Sequence, residues 1–228
     1  MNQPAKEIIS GLLYEKSKLK QDIFYLTIDV FKQLKEVVRE TVAELKPLAQ
    51  QIDKRIIIDF KDKSEHEIEL RVAGDVMIFS MHTNVFEFDQ NHPMWRTSYI
   101  KQDHKRSYCG MIMVYNFLAD TFKYNRMNDV GYLVSRLFVN HERHYFAEGK
   151  RQLGLLFNNF ASSEISKEEL RKFVEATVIY CLDFDLFTPP FDDVKMVSFA
   201  QIQEESSMMS LKTGKRLGFR FQADTDLD

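Results

Sequence analysis

Cysteine, glycine and long apolar runs are all scarce here, and each shortage removes a class of protein. The two cysteines, Cys109 and Cys181, sit in apolar stretches without metal-ligand spacing, so they read as reduced core thiols rather than a disulfide framework or a zinc site. The glycines build no phosphate-cradling loop, dinucleotide fingerprint or nucleophile elbow. Gly214, Lys215 and Arg216 lack the strand and the earlier glycine that a P-loop requires. No window approaches the roughly 20 consecutive apolar residues of a membrane span. The opening MNQPAKEIIS has no basic region followed by an apolar core, so no secretory signal is expected there. These features point to a cytoplasmic protein without membrane partners. A positive balance is missing too: the formal charge of -3 is not that of a dedicated nucleic-acid binder.

What remains is an ordinary globular composition, 44% hydrophobic and 29% charged over 228 residues, enough for a sizeable core. From Ala5 to about residue 46 the pattern is helical. Ile9, Leu12, Leu19, Ile23, Leu26 and Val30 recur three and four apart, and no proline intervenes before Pro47. Leu12, Leu19 and Leu26 also fit a heptad. The stripe then drifts to Phe31, Leu34, Val38, Val42 and Leu45, as expected of a straight helix packed on its own domain rather than a coiled-coil seam. A break is expected near Gly11 or Ser17.

Beyond Pro47 the period changes to two. RIIIDF at 55–60 and the alternating run 66–72 make a hairpin with one wet face. VMIFSM and VFEF follow, and then CGMIMVYNFLA, which is apolar on both faces and therefore central in a sheet. Residues 128–157 read as two strands folded back at Asn140–Arg143, with another short strand over Leu153–Phe157. Ser166 followed by Glu169 is a capping box that opens a helix over 166–184, ended by Pro189 and Pro190. A last strand is expected at 195–203, and residues 205–228 as a polar tail with one added strand at 217–221. The expected architecture is α+β within one domain over 1–204. A curved antiparallel meander of about eight to ten strands (54–158) is covered by the N-terminal helix and by the helix at 166–184.

The sharpest chemical pattern is Asp129 with Glu148 and Lys150. It resembles the restriction-type nucleases, in which an acidic residue and a Glu-x-Lys gather magnesium, the metal activates water and the lysine orients it. That resemblance covers about thirty residues and implies Asp129 and Glu148 as metal ligands with Lys150 catalytic. Against it, Gly149 separates Glu148 from Lys150, LGLLF reads as strand where a helix should follow, and the fold-back pairs Glu148 near Ser135, away from Asp129. His141 and His144 form H-x-x-H without the further ligands that zinc needs. His82, Asp89, His92, Asp103 and His104 lie on successive loops that strand order would have to bring together. Trp95, Phe86, Phe88 and Tyr99 offer aromatic faces, though alternating aromatics usually pack in a core.

No complete active site emerges, so the expected function is a non-catalytic binding or assembly module. It would act through its helix or a sheet edge on a protein partner or on itself, with no cofactor. Two alternatives stand beside it. One is a magnesium-dependent nuclease acting on nucleic acid. The other is a carrier holding a small apolar ligand against Met111, Met113, Tyr115 and Phe117.

Overall fold

A single long helix sets the architecture. In the computed structural model, which describes residues 4–149, 152–185, 188 and 190–208, the chain opens with α1 (Ala5–Leu12). It then passes through a π-helical turn (Leu13–Ser17) and continues as α2 (Lys18–Ile52). The irregularity expected near Gly11 or Ser17 is this π turn, and the helix does not break there. Buried residues of α2 run from Ile23 through Val30, Phe31, Leu34 and Val38 to Val42 and Ala49, the stripe of a helix with one wet face. The helix outlasts its expected end at 46 because Pro47 lies inside it. Proline has no N–H for the Ala43 carbonyl, but Ala43 and Pro47 are both exposed, and water can take that place.

Seven strands follow: β1 (Ile58–Ser64), β2 (Glu67–Val72), β3 (Asp75–Met81), β4 (Phe86–Glu87), β5 (Tyr108–Leu118), β6 (Tyr132–Asn140) and β7 (Tyr145–Gly149). They form one open antiparallel sheet in the order β1-β2-β3-β5-β6-β7, with β4 also paired to β5. The remaining helices are α3 (Ser98–Gln102), α4 (Ala119–Lys123), α5 (Gln152–Leu156), α6 (Lys167–Leu182), α7 (Phe191–Val194) and α8 (Phe199–Met208). The chain is thus α+β, an antiparallel meander behind a long N-terminal helix. No helix among the described residues is long and apolar enough to cross a membrane.

Register explains the core. Ile68 pairs Phe79, which pairs Val114, and Leu70 pairs Met77, so alternate residues of neighbouring strands share a face. That face, with Leu137 and Val139 of β6, packs on α2 and on Phe173, Val174 and Val178 of α6. Each such side chain contributes about 1.5–3 kcal/mol on burial. The helix α6 lies parallel to α2: Lys167 pairs with Glu40 at 2.6 Å, and Arg171, one turn on, pairs with Glu44.

The opposite face of the sheet is covered at one end by the connection between β4 and β5. Phe88, Tyr99 and Ile100 from that connection, joined by Phe160, pack on Cys109, Met111, Phe138 and Phe146. At the other end Asp59, Lys61, Glu69, Arg71 and Val76 line a cavity of about 240 Å³ together with Phe122 and Lys123 of α4.

The seven strands fall short of the expected eight to ten, because two segments read as strands are helical. Leu153 and Phe157 are both buried while Leu155 and Leu156 are exposed, a four-residue spacing that belongs to α5. Residues 195–203 run instead into α8. Ser198 Oγ accepts from the Gln201 N–H, and Gln201 Oε1 accepts from the Ser198 N–H, a reciprocal capping box that fixes a helix start. The expected strand at 217–221, and Gly214, Lys215 and Arg216 before it, lie outside the described residues.

Candidate functional site

The hairpin at 132–149 turns where the sequence placed it. Asn140 Oδ1 accepts from the N–H groups of Glu142 and His144, both at 3.0 Å, and Arg143 takes a left-handed φ of 64°. Its register pairs Arg136 with Glu148 and Ser135 with Gly149, one position away from the expected pairing of Glu148 with Ser135. Directly opposed residues share a face, so Arg136 Nη2 donates to Glu148 Oε2. The other carboxylate oxygen of Glu148 lies 2.9 Å from His92 Nε2, and that imidazole stacks on Phe88 with centroids 4.7 Å apart.

Asp129 stands elsewhere. Thr121 Oγ1 donates to its carboxylate at 2.8 Å, and Arg126 Nε lies 2.8 Å from it. Asp129 precedes β6, and the strand rises about 13 Å between Tyr132 and Arg136 alone. The two carboxylates therefore belong to separate ion pairs. Among the described residues no three His, Cys, Asp or Glu side chains gather to hold a metal, and Lys150 lies outside the described residues. One feature does fit the nuclease pattern better than the sequence suggested: a helix, α5, follows the E-x-K segment.

A second polar group, which the sequence did not reveal, pins the β4–β5 connection to the hairpin. Tyr99 donates its hydroxyl to Glu142 Oε2 at 2.6 Å, and Arg106 donates to Glu142 Oε1 from Nε and Nη2 at 3.2 and 3.1 Å. Asn140 Nδ2 donates to the Tyr99 oxygen at 2.8 Å, and His144 stacks on the Tyr99 ring at 5.0 Å. Burial pushes the Glu142 carboxyl up, but hydrogen bonds from Tyr99 and Arg106 outweigh it and hold the group below the ordinary value. Burial, reinforced by Glu142, raises Tyr99. No local spacing signals this group, because Arg106 and Glu142 are 36 positions apart.

The remaining candidates have local partners. His82 Nδ1 accepts from the Asn84 N–H, Asp89 from Asn91, and Asp103 from Lys105. His104 meets the edge of Trp95 at 5.4 Å. Of that loop set, His92 is the one that bonds Glu148, while the His82 ring meets Phe86 of β4 at 4.7 Å. His144 Nδ1 lies 3.0 Å from the Phe160 carbonyl oxygen, whereas His141 sits beside Glu142. Cys109 and Cys181 are both buried, and burial pushes the Cys109 thiol well up. Met113 accepts from the Tyr115 hydroxyl, and Phe117 meets the edge of Phe122.

Two stretches of the described residues expose runs of apolar side chains. No residue of α1 or of the π turn is buried, yet Ile8, Ile9, Leu12 and Leu13 recur along one side and are each about half exposed (49–58%). The buried face of α2 starts at Ile23, but Lys20 already lies over the Tyr108 ring of β5 at 5.7 Å and Lys16 interacts with the Tyr108 hydroxyl, so the helix overhangs the described domain only before Lys16, by about 16 Å. Phe191, Val194, Val197, Phe199 and Ile202 at the other end of the chain are also exposed. The sheet edges differ. β1 carries Asp59, Lys61, Asp62 and Lys63, and Lys35 of α2 bonds both Asp62 and the Ser64 carbonyl. β7 is flanked by the following chain, with the Ala147 N–H donating to the Phe157 carbonyl and that of Tyr145 to Ser163. Charged or occupied edges resist strand addition.

No family model matches this sequence, and neither a curated protein nor a solved structure matches it.

Proposed function

We propose that this chain is a non-catalytic binding and assembly protein whose contact element is the overhanging N-terminal helix. The observation that carries this reading is the stripe Ile8, Ile9, Leu12 and Leu13, held in helical order with none of the four buried. An amphipathic helix laid into a partner's groove is a recurrent mode of protein recognition, read as anchors spaced three and four apart. Of the two contact elements that the sequence suggested, the charged and flanked sheet edges are the weaker. The reading is tested by placing a photo-crosslinking amino acid at Leu12 in the intact chain, inside the cells that make it. A discrete product of fixed mass supports it; a product pattern equal to that of the same probe at exposed Thr83 overturns it.

Metal-dependent phosphodiester hydrolysis at Glu148 is the second reading, and α5 following the E-x-K segment is its one favourable observation. Against it, each carboxylate that would hold the cation already faces an arginine. Cleavage of mixed DNA and RNA with Mg²⁺ or Mn²⁺, abolished in Glu148→Ala and Lys150→Ala, would revive it.

A further inference from the structure

The cavity on the outer face of the sheet has walls that are tied to one another. Ala73, in the turn between β2 and β3, donates its N–H to the Ile57 carbonyl at 2.8 Å, and the Ala119 N–H at the start of α4 donates to the Gly74 carbonyl at 2.8 Å. One two-residue turn thus anchors both Ile57 and Ala119, and both line the cavity. Phe122 of α4, another wall, is set against the edge of Phe117 at 6.0 Å. Walls fixed in advance leave less to be ordered when a ligand enters.

The charges in these walls are unevenly answered. Glu69 already faces Lys63 at 3.0 Å and Lys61 at 3.8 Å. Arg71 does not face a carboxylate. Its Nε donates to the Ala73 carbonyl at 3.3 Å, and among the described residues it makes no ion pair, although Asp59 is its direct partner in the strand register. Lys123 lines the same cavity, with its ammonium 4.8 Å from the Tyr124 ring. Tyr124 holds that ammonium above its ordinary value, while the like charge of Arg71 acts against it. An anion seated between the two cations satisfies both.

The lining also sets the kind of anion. Lys61, Arg71 and Lys123 stand against Asp59 and Glu69, which leaves one positive charge in excess and suits a monoanion better than a dianion. The rest is apolar: Val76 and Ala119 are buried, and Ile57 and Phe122 are open to an occupant. At about 240 Å³ the space is smaller than the roughly 300–1,000 Å³ of pockets for drug-sized ligands. We infer that this cavity binds a small organic monocarboxylate, its carboxylate in the Arg71 fork beside Lys123 and its apolar body against Phe122, Val76 and Ile57. A planar carboxylate matches a guanidinium with two parallel hydrogen bonds. No residue of the N-terminal helix takes part, so this site stands or falls separately from the assembly role.

Titration of the isotope-labelled full-length chain with 3-phenylpropionate, followed by amide NMR shifts at constant ionic strength, tests the inference. Saturable shifts are expected at Arg71, Val76, Ala119 and Lys123. The amide of the same acid, which keeps the body and lacks the charge, should give none. Arg71→Gln should weaken binding about tenfold or more, the scale of a hydrogen bond to a charged group. Lys123→Gln should weaken it as well, and Asp59→Asn should tighten it by removing a repelling charge. Neither Lys123 nor Asp59 is buried, so if Arg71→Gln loses the parent's circular dichroism, the opposite signs of the other two variants decide. No saturable shift up to about 10 mM, shifts confined to other parts of the chain, equal binding of the amide, or no tightening in Asp59→Asn overturns the inference. Inorganic phosphate bound as tightly as the acid overturns the assignment of an apolar body.

Discussion

Thr27 of α2 rests on Gly110 of β5 so closely that a Cβ built on the glycine would lie 1.9 Å from the threonine hydroxyl. Thr27 turns that hydroxyl back to the Ile23 carbonyl at 2.7 Å, so it leaves no orphaned polar group under the helix. The bare backbone at Gly110 is what lets the long helix lie flat on the sheet.

Gly110→Ala should therefore destabilise the protein by about 1–3 kcal/mol, the usual cost of forcing extra volume into a packed core. Thr27→Ala added to it should recover only part, because the Thr27 Cβ itself is 2.8 Å from the new methyl position. Urea unfolding measures both. A single variant as stable as the parent would mean that the helix does not cross the strand so closely.

Ser166 caps α6 by accepting from the Glu169 N–H at 3.2 Å. Ser166→Ala should cost about 0.5–2 kcal/mol, and Ser166→Asp should restore most of it. The unfolding midpoint is expected to move at constant slope, since a lost cap changes stability without changing the surface exposed. A changed slope would place the effect elsewhere.

The Glu142 carboxyl sits below its ordinary value of 4.5 when folded. A depressed acid contributes stability that is complete above the unfolded value and disappears as pH falls through the folded one. Stability should thus decline below about pH 4.5, and Glu142→Gln, which still accepts from Tyr99 but carries no charge, should make that decline shallower. It should not remove it, because Lys172 and Tyr145 hold Glu169 down as well. Thermal midpoints of both proteins across pH 3 to 7 check this; parallel curves would show that Glu142 is not held by its partners.

The two carboxylates of the nuclease pattern should respond very differently to removal. Arg136 and Glu148 are 43% and 32% exposed, and a pair so placed contributes at most about 1 kcal/mol. Arg126 and Asp129 are 8% and 9% exposed, so deleting one removes the opposite charge from a largely buried ion, at about 3–5 kcal/mol. Asp129→Ala should therefore unfold at much lower urea than Glu148→Ala. Equal costs would contradict the separate environments of the two groups.

Much of the fold was legible because the signals that specify it are local. Ile68, Leu70 and Val72 alternate on a two-residue period, Phe31, Leu34 and Val38 recur on a helical one, and Ser166 announces its helix through a capping box four residues long. The strand-like reading of LGLLF failed because five residues cannot separate the two periods; the burial of Leu153 and Phe157 against the sheet decided it. The Ser198–Gln201 box was equally local and was masked by the alternation around it.

The sequence by itself determined most of the helical and extended stretches, the antiparallel character of the sheet and where the hairpin turns. Tertiary structure alone decided which side chains meet. Glu148 took Arg136 and His92 as partners, Glu142 took Arg106 and Tyr99, and the stripe at Ile9 and Leu12 stayed about half exposed while the same helix buried Phe31 and Leu34. The reason is distance along the chain: periodicity and capping act within a turn or two, whereas a hydrogen bond spanning 56 positions exists only after register and strand order have been fixed.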